Sequence, residues 1–591
     1  MREVYKYIKT RRIQNLVYIS VILITAFQSC QKELEIPLQG QYSTDVITYD
    51  ANWVSAQLTA AYGMLDGNLD ADDMWRAAAS NWVYGEVASD NAYKGSEFGD
   101  QPIINNIERY AANANESRYY GYKWNAVFEG VARSNETIRG VRKGLEREEI
   151  TTSESIQLEA EARFLRAHYH FEAKKMWGNI PYIDETVTTS QSNVGVDSWG
   201  AIETDFIFAV DNLKESSRFV GAANSWVAKA YLAKIYMYQL DYAEAKPLLD
   251  DIINSGPFSL TPKYSDNFNA ETNNSVESIF AVQNTVGDGS AGDDNANWGD
   301  ALNFPNGAPV GTSPTGSSCC GFFQPSQNLV NAYKTDASGL PLLETFNDVD
   351  VVNDDGIDSN DNFTPYTGEL DPRLDWKVGR RGIDFNGWGI MPGQSWIRNQ
   401  PNGGPYLQKV TLFRKSQFEN GSIDAGLAWA PGVSSMNTNI IRFAEILLWR
   451  AEIMAAEGEG DLGVSLVDRV RIRAANPDDF VQELDINGKP TGNPAANYMI
   501  NTYGNFANQD QAIKAVAHEY RIETALEGHR FFDLVRREVA AKVLSAYLNV
   551  EVTKRSHLNS ASFIAGKSEH YPIPQTVISV SNGKIKQNKG Y

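Results

Sequence analysis

Three cysteines and six histidines are all that 591 residues contain, and these scarcities exclude much. Cys30, Cys319 and Cys320 cannot build a disulfide framework or a cysteine-rich metal site. Six histidines offer few general bases near neutral pH. There is no Gly-x-Ser-x-Gly elbow, and His518-Glu519 has no second histidine at the spacing of a His-Glu-x-x-His zinc motif. His168 and His170 stand two apart on a predicted helix, so they face different ways and cannot serve as an i,i+4 ligand pair. A glycosidase would need only two carboxylates, but 74 acidic residues supply endless pairs without singling one out. Positive charge is also short. A net charge of −21 argues against a nucleic-acid phosphate surface.

The apolar run from Leu16 to Phe27 is too short to span a bilayer. As a helix it would reach about 18 Å, against a hydrocarbon thickness of ~30 Å. Arg2, Lys6, Lys9, Arg11 and Arg12 precede it, so residues 1–29 read as a secretory signal peptide. Cys30 stands where the run ends, behind the small Ser29, which resembles a bacterial lipoprotein box. Phe27 and Gln28 depart from the Leu/Val and small residue usual there. Acyl chains on Cys30 would anchor the mature chain at about 0.8 kcal/mol per buried CH₂. Residues 30–50 show little periodicity and read as a lipidated tether.

Three stretches follow. Residues 51–258 read as a helical scaffold. Apolar positions recur at helical spacing from Trp53 to Leu65 and again over 202–213. Between Ile156 and Trp177 they form one stripe, with Ser153 or Ser155 as cap and Gly178 and Pro181 as stop. Residues 226–258 fit a 34-residue tetratricopeptide unit. Leu232, Ala233 and Tyr236 lie on its first helix, Ala245 and Leu249 on its second, and Pro257 at its closing turn; Lys229 is out of pattern. Residues 259–436 are rich in Gly, Asn, Asp, Pro and Ser and predict long loops with short strands, where ligand-contacting residues tend to concentrate. Their aromatic content argues against disorder. Residues 437–591 return to helical patterning. One face carries Ile441, Ala444, Leu448, Ala451 and Ala455; another carries Ile513, Val516, Ala517 and Tyr520, and its pattern fades at Glu523.

Binding chemistry is better represented than catalysis. A sugar ring presents a C–H face that stacks on an aromatic ring, and hydroxyls that pair with Asn, Asp, Gln and Arg. The loop region supplies both kinds, with Asn297, Trp298, Asp300, Phe304, Trp388, Trp396, Arg398 and Tyr406; Trp75 and Asn81 add to them from the N-terminal side. A peptide would use a similar cleft with more backbone pairing. Cys319-Cys320 admits either a vicinal disulfide or two free thiols, because adjacent residues are poorly placed for ordinary disulfide geometry. The acidic run 348–362 admits a calcium ion at Asp350, Asp354, Asp355, Asp358 and Asp361, beside the plainer reading of an exposed acidic loop. It is not an EF-hand, since aligning Gly356 with the invariant glycine puts Val351 at the first ligand position. No other cofactor is expected.

Several strings place the chain near a known family. They are GEVASDNAYKG (85–95), EARFLRAHYHFEAKKMWGNIPYI (161–183), PSQNLVNAYKT (325–335), DPRLDWKVGR (371–380), IIRFAEILLWRAEIMAAEG (440–458), ALEGHRFFDLVRRE (525–538) and YPIPQTVISVSNGKIKQNKGY (571–591). In order and spread they resemble the SusD/RagB family of Bacteroidetes outer-membrane lipoproteins. The resemblance implies a mostly α fold: a helical scaffold with tetratricopeptide-like pairs and an irregular ligand-binding insertion. It also implies a non-catalytic protein, held to the outer membrane by its lipid, facing the exterior, and paired with a SusC-like TonB-dependent transporter. Its cargo would be an oligosaccharide or an oligopeptide. Gln31 to Glu35 resembles the acidic export signal that follows the cysteine in such lipoproteins. Arg163, Arg166, Glu445, Glu452, Glu527 and Arg530 fall in these strings and are expected to be helix-to-helix links or caps. The rival outside the binding class is a structural or adhesin-type surface lipoprotein with no transporter.

Overall fold

The computed structural model describes residues 47–69, 74–290, 296–311, 319–424 and 429–591; Cys30 and the signal and export segments lie outside them. Residues 51–591 cluster as one unit. Its helical frame opens with α1 (Ala51–Gly63), α2 (Tyr122–Glu146) and α3 (Thr152–Trp177). The start of α3 is fixed locally. The Thr151 hydroxyl accepts the Glu154 N–H, and the Glu154 carboxylate accepts the Thr151 N–H. This reciprocal box satisfies two backbone donors. Ser153 and Ser155, the sequence candidates for the cap, lie inside the first turn, because only Thr151 has a glutamate three residues on. Gly178 ends the helix at φ 65°, where a Cβ would strike the His570 ring.

The frame continues through α4 (Ser198–Asn212), α5 (Ser225–Gln239) and α6 (Tyr242–Ser255), each helix from α3 onward packing on the one before it. The pair α5–α6 is the tetratricopeptide-like hairpin, with Leu232, Ala233, Tyr236, Ala245 and Leu249 all buried. Lys229 is accommodated by laying its ammonium over the Trp226 ring at 4.2 Å and pairing with Asp251 at 2.5 Å. His168 and His170 are core residues. His168 Nδ1 meets the Tyr231 hydroxyl at 2.8 Å, and His170 Nε2 accepts the Ile183 N–H at 3.1 Å. Burial lowers their pKa values to about 4 and about 3, so both are neutral.

Strands β1 (Ala92–Gly95), β2 (Ser278–Val282), β3 (Phe322–Pro325) and β4 (Thr438–Arg442) form two antiparallel pairs, β1 with β3 and β2 with β4. Each pair ties the loop-rich stretch to a helical one. The sequence reads 437–458 as one helix. Its first residues instead form β4, set by the β-branched Thr438, Ile440 and Ile441, and α7 (Phe443–Glu457) begins only after them. The frame closes with α8 (Val464–Ala474) and α9 (Gln509–Glu523), followed by shorter helices. The buried side of α9 keeps Val516 and Tyr520 of the predicted face but not Ile513, and extends to two glutamates. Ile513 is 42% exposed, while Glu519 and Glu523 are fully buried.

Those glutamates belong to an ionic core. Arg373 contacts Asp371, Glu519 and Glu523 at 2.7–2.9 Å. Arg442 contacts Glu277, Glu523 and Glu527 at 2.6–3.1 Å. Arg471 pairs with Glu519, Arg473 with Glu277 and Glu523, and Lys377 with Glu527. Five cations thus meet five carboxylates, none with a side chain more than 5% exposed. Charges this deep persist only when fully paired. Burial raises the pKa of Glu523, but the guanidiniums of Arg473, Arg442 and Arg373 outweigh it and hold the carboxylate well below its ordinary range. The signature-string residues have the linking roles expected of them. Arg163 and Arg166 both reach Asp205 on α4, Glu452 pairs with Arg536, and Arg530 with Asp90. Glu445 accepts the Arg442 N–H at the start of α7. Among the described residues no helix is long and apolar enough to cross a membrane.

Candidate functional site

Three tryptophans from distant parts of the chain meet on the loop-rich side. Trp75 comes from the short turn Met74–Arg76, Trp298 from the 3₁₀ turn Trp298–Asn303, and Trp429 from the stretch before β4. The Trp429 ring lies 5.2 Å from that of Trp298 and 6.3 Å from that of Trp75, both edge-to-face, an arrangement the ring quadrupoles favour. Met74, Ala301, Ala430 and Val433 pack around Trp298. Trp298 is 1% exposed and Trp75 8%, whereas Trp429 is 37% exposed. The cluster is therefore a platform with two buried rings supporting one that reaches water. Gly299 makes the fit possible, since a Cβ there would stand 2.8 Å from Ala78 Cβ. Trp82 secures the same turn by donating its indole N–H to the Gly299 carbonyl at 3.2 Å.

Polar groups surround the turn. Asn297 accepts the Ser434 N–H at 2.7 Å and donates to the Thr411 carbonyl. Asp300 accepts the Ser80 hydroxyl at 2.6 Å and the Asn303 amide at 3.3 Å. Burial raises the Asp300 pKa to about 7 against the opposing effect of the Ser80 bond. Asn81 sits at φ 53°, and its buried amide has no hydrogen-bond partner among the described residues. Ser80, Asn267, Asn297, Asp300, Asn437 and Glu527 wall a cavity of about 40 Å³, room for a few waters or a hydroxyl-bearing group. Cys319 and Cys320 are joined in a vicinal disulfide.

Of the ten ligand-contact candidates, Trp75, Asn297, Trp298 and Asp300 come together here, with Asn81 next to Ser80. The others lie elsewhere. Phe304, Trp396 and the half-buried Trp388 belong to a second apolar cluster with Phe385, Leu412 and Phe413. Arg398 is engaged by Asp100, Glu97 and Ser96 at 2.6–3.0 Å. Tyr406 is buried with its hydroxyl on Gln327. Trp429 is the residue sequence reasoning missed. Its setting, a tryptophan among Gly, Ala and Pro in a loop, carries the same signal that singled out Trp388.

The acidic run does not converge on a cation. Asp350 pairs with Lys554 at 2.9 Å and Asp355 with Arg555 at 2.8 Å. Asp354 is buried 3.9 Å from Arg381, and burial raises its pKa to about 6. Asp358 caps the backbone N–H of Asn360, and Asp361 gives its carbonyl to Arg381. Among the described residues no three His, Cys, Asp or Glu side chains are grouped to hold a metal. Of the residues in the calcium reading, Asp350, Asp354, Asp355, Asp358 and Asp361, the first three thus have basic neighbours that the sequence alone does not bring near.

Comparison with known proteins follows the same lines. A family model described as "SusD family" matches residues 276–591, and one described as "Starch-binding associating with outer membrane" matches residues 58–237. SusD-like protein P38 of Formosa agariphila is 22% identical over 90% of this chain and 92% of its own. The starch-binding protein SusD of Bacteroides thetaiotaomicron is 23% identical over 75% of this chain and 74% of its own. A shorter match, 28% identical, covers 27% of this chain and 32% of a SusD-like protein of Bacteroides ovatus. Among solved structures, a laminarin binding SusD-like protein superposes with a TM-score of 0.63 at 21% identity, over 92% of this chain and all of that one. Surface glycan-binding protein A of Bacteroides thetaiotaomicron, in complex with laminarihexaose, gives 0.63 at 18% identity over 91% of this chain and 99% of that one. The helical frame, the tetratricopeptide-like hairpin and the matched models agree, and the chain belongs to the SusD family.

Proposed function

We propose that this chain captures oligosaccharides at the cell surface and hands them to a partner TonB-dependent transporter of the outer membrane. The observation that carries the reading is the Trp429 platform. One exposed indole, held by two buried ones beside amide, hydroxyl and carboxyl groups, suits the C–H face and hydroxyl rim of a sugar ring. The names of the matched relatives support the same ligand class. In this reading Cys30 carries the lipid, the Gln31–Glu35 segment directs the chain to the outer face, and the protein binds without catalysing. The contacts proposed are Trp429 with Asn297 and Asp300 at its side.

The test is a titration of the mature protein against laminarin, laminarihexaose, maltoheptaose and a panel of oligopeptides, by calorimetry. Binding of a glycan that Trp429→Ala weakens at least tenfold is the expected result. Binding of peptides and of no glycan would replace the ligand class. Isolation of the protein from native membranes tests the rest: co-purification with a transporter barrel, and a diacylated Cys30 in the N-terminal mass spectrum. A lipidated chain that co-purifies with no transporter would return the reading to an adhesin-type or structural surface lipoprotein.

A further inference from the structure

Consecutive residues of the vicinal disulfide reach the two segments that carry the platform. The Cys319 N–H donates to the Trp429 carbonyl at 3.3 Å, and the Cys320 N–H donates to the Leu302 carbonyl at 3.1 Å, in the turn that bears Trp298. One residue further, the Gly321 N–H donates to the Phe304 carbonyl at 2.8 Å, and Cys320 bridges Phe304 in parallel register. Cys320 is buried in the main hydrophobic core, and Cys319 packs against that core from its edge. The segment therefore has one side fixed in the core and one side bonded to the Trp429 backbone. Among the described residues Trp429 has few other holds. Its carbonyl takes the Cys319 N–H, its ring leans on Trp298 and Trp75, and more than a third of it faces water.

We propose that the Cys319–Cys320 disulfide is a positioning element for the ligand platform: it staples the Trp429 segment to the Trp298 turn. The eight-membered ring closed by two adjacent cysteines restricts the backbone between them. The two N–H donors therefore keep a fixed relative direction, and so do the carbonyls of Trp429 and Leu302 that they hold. Opening the ring frees that backbone and lets Trp429 leave Trp298. Reduction by tris(2-carboxyethyl)phosphine breaks the S–S bond and forms two thiols. The phosphine is oxidised to its oxide, with one water supplying the oxygen and the two protons. The inference rests on the proposed glycan site for its consequence in binding, but not for the stapling itself.

The stapling is read without any ligand, by hydrogen exchange of the full mature protein measured as isolated, after phosphine reduction, and as Cys319→Ser/Cys320→Ser. Peptides spanning 298–304 and 429–436 are expected to exchange at least tenfold faster in both opened forms, while α3 peptides stay unchanged. A Cys319→Ala/Cys320→Ala variant checks that the change follows ring opening rather than the serine hydroxyls. Equal exchange in closed and opened forms overturns the proposal, as does uptake of two alkyl groups at Cys319 and Cys320 without prior reduction. Titration with laminarihexaose then separates the two readings. Loss of tenfold or more in affinity on ring opening extends the staple to function. If the closed form binds no glycan, the glycan reading fails while the exchange result still decides the staple.

Discussion

In the helical frame the polar atoms at the centre face one another, and on the loop-rich face one aromatic ring faces outward over two buried ones. Glu277, Glu519, Glu523, Glu527 and Asp371 are enclosed by Arg373, Lys377, Arg442, Arg471 and Arg473, with no net charge left over. The Trp429 platform has the opposite composition: buried apolar rings, one open ring, and in Asp300 a buried carboxyl with no paired cation. The difference lies in what each region is asked to hold. The ionic centre is paired within itself and fixes where five stretches of chain must meet. An unsaturated aromatic surface leaves part of its contact area for a ligand. The conformational specificity that buried ion pairs confer in some proteins suits the first role, and the low entropy cost of a rigid indole suits the second.

The sharpest way to break the contrast is to unbalance the ionic centre. Glu523→Gln leaves Arg373, Arg442 and Arg473 sharing one carboxylate fewer, and is expected to cost about 3–5 kcal/mol. Urea unfolding of the purified variant measures it, and a midpoint within error of the parent would mean the network is not a stability element. Next comes Asp300. Its pKa is raised from 3.8 to about 7 in the folded chain, so the native state binds the extra proton over that interval. Stability should therefore fall as pH rises from about 4 to about 7, by up to about 4 kcal/mol, and level off above. Asp300→Asn keeps an acceptor for Ser80, should remove that slope, and should be more stable than the parent at pH 8. Unfolding midpoints at pH 5 and pH 8 compare the two.

Trp429→Ala separates the platform from its support. Binding should weaken at least tenfold, about 1.4 kcal/mol, with a smaller loss of stability than at Trp298, because Trp429 is 37% exposed and Trp298 only 1%. Trp298→Ala should do the reverse and lose about 3–5 kcal/mol of stability, so the pair tests which ring is surface and which is foundation. The smallest effect is expected at Lys229, whose pair with Asp251 is partly exposed. Lys229→Met should shift stability by less than about 1 kcal/mol and leave glycan titration unchanged. A larger loss would show that the hairpin depends on that charge.

Legibility differed in the same two regions. Helix existence was readable wherever buried positions are apolar, as in α3, α5 and α6, since a 3.6-residue stripe reports burial directly. It faded in α9, where the buried face holds Glu519 and Glu523; there, core position and apolar side chain part company. Boundaries slipped where a local competitor won, Thr151 over Ser153 by its capping box and β4 over the start of α7 by pairing with β2. At the candidate site, loop aromatics among amides are the chemical signal that singles out Trp75, Asn297, Trp298 and Asp300. Their burial, and the engagement of Arg398 with Asp100, could not be read, because the partners lie hundreds of residues away. Asp350 and Asp355 looked like oxygen ligands for the same reason, until Lys554 and Arg555 arrived from the far end of the chain.

Taken alone, the sequence determined the helical character, the tetratricopeptide-like hairpin, the family strings and the change of texture at residue 259, all consequences of local periodicity and composition. Tertiary structure decided which charges neutralise one another and which of thirteen tryptophans is exposed. Both depend on contacts between residues distant in the chain, and burial at such contacts, rather than residue type, sets whether a side chain is support or surface.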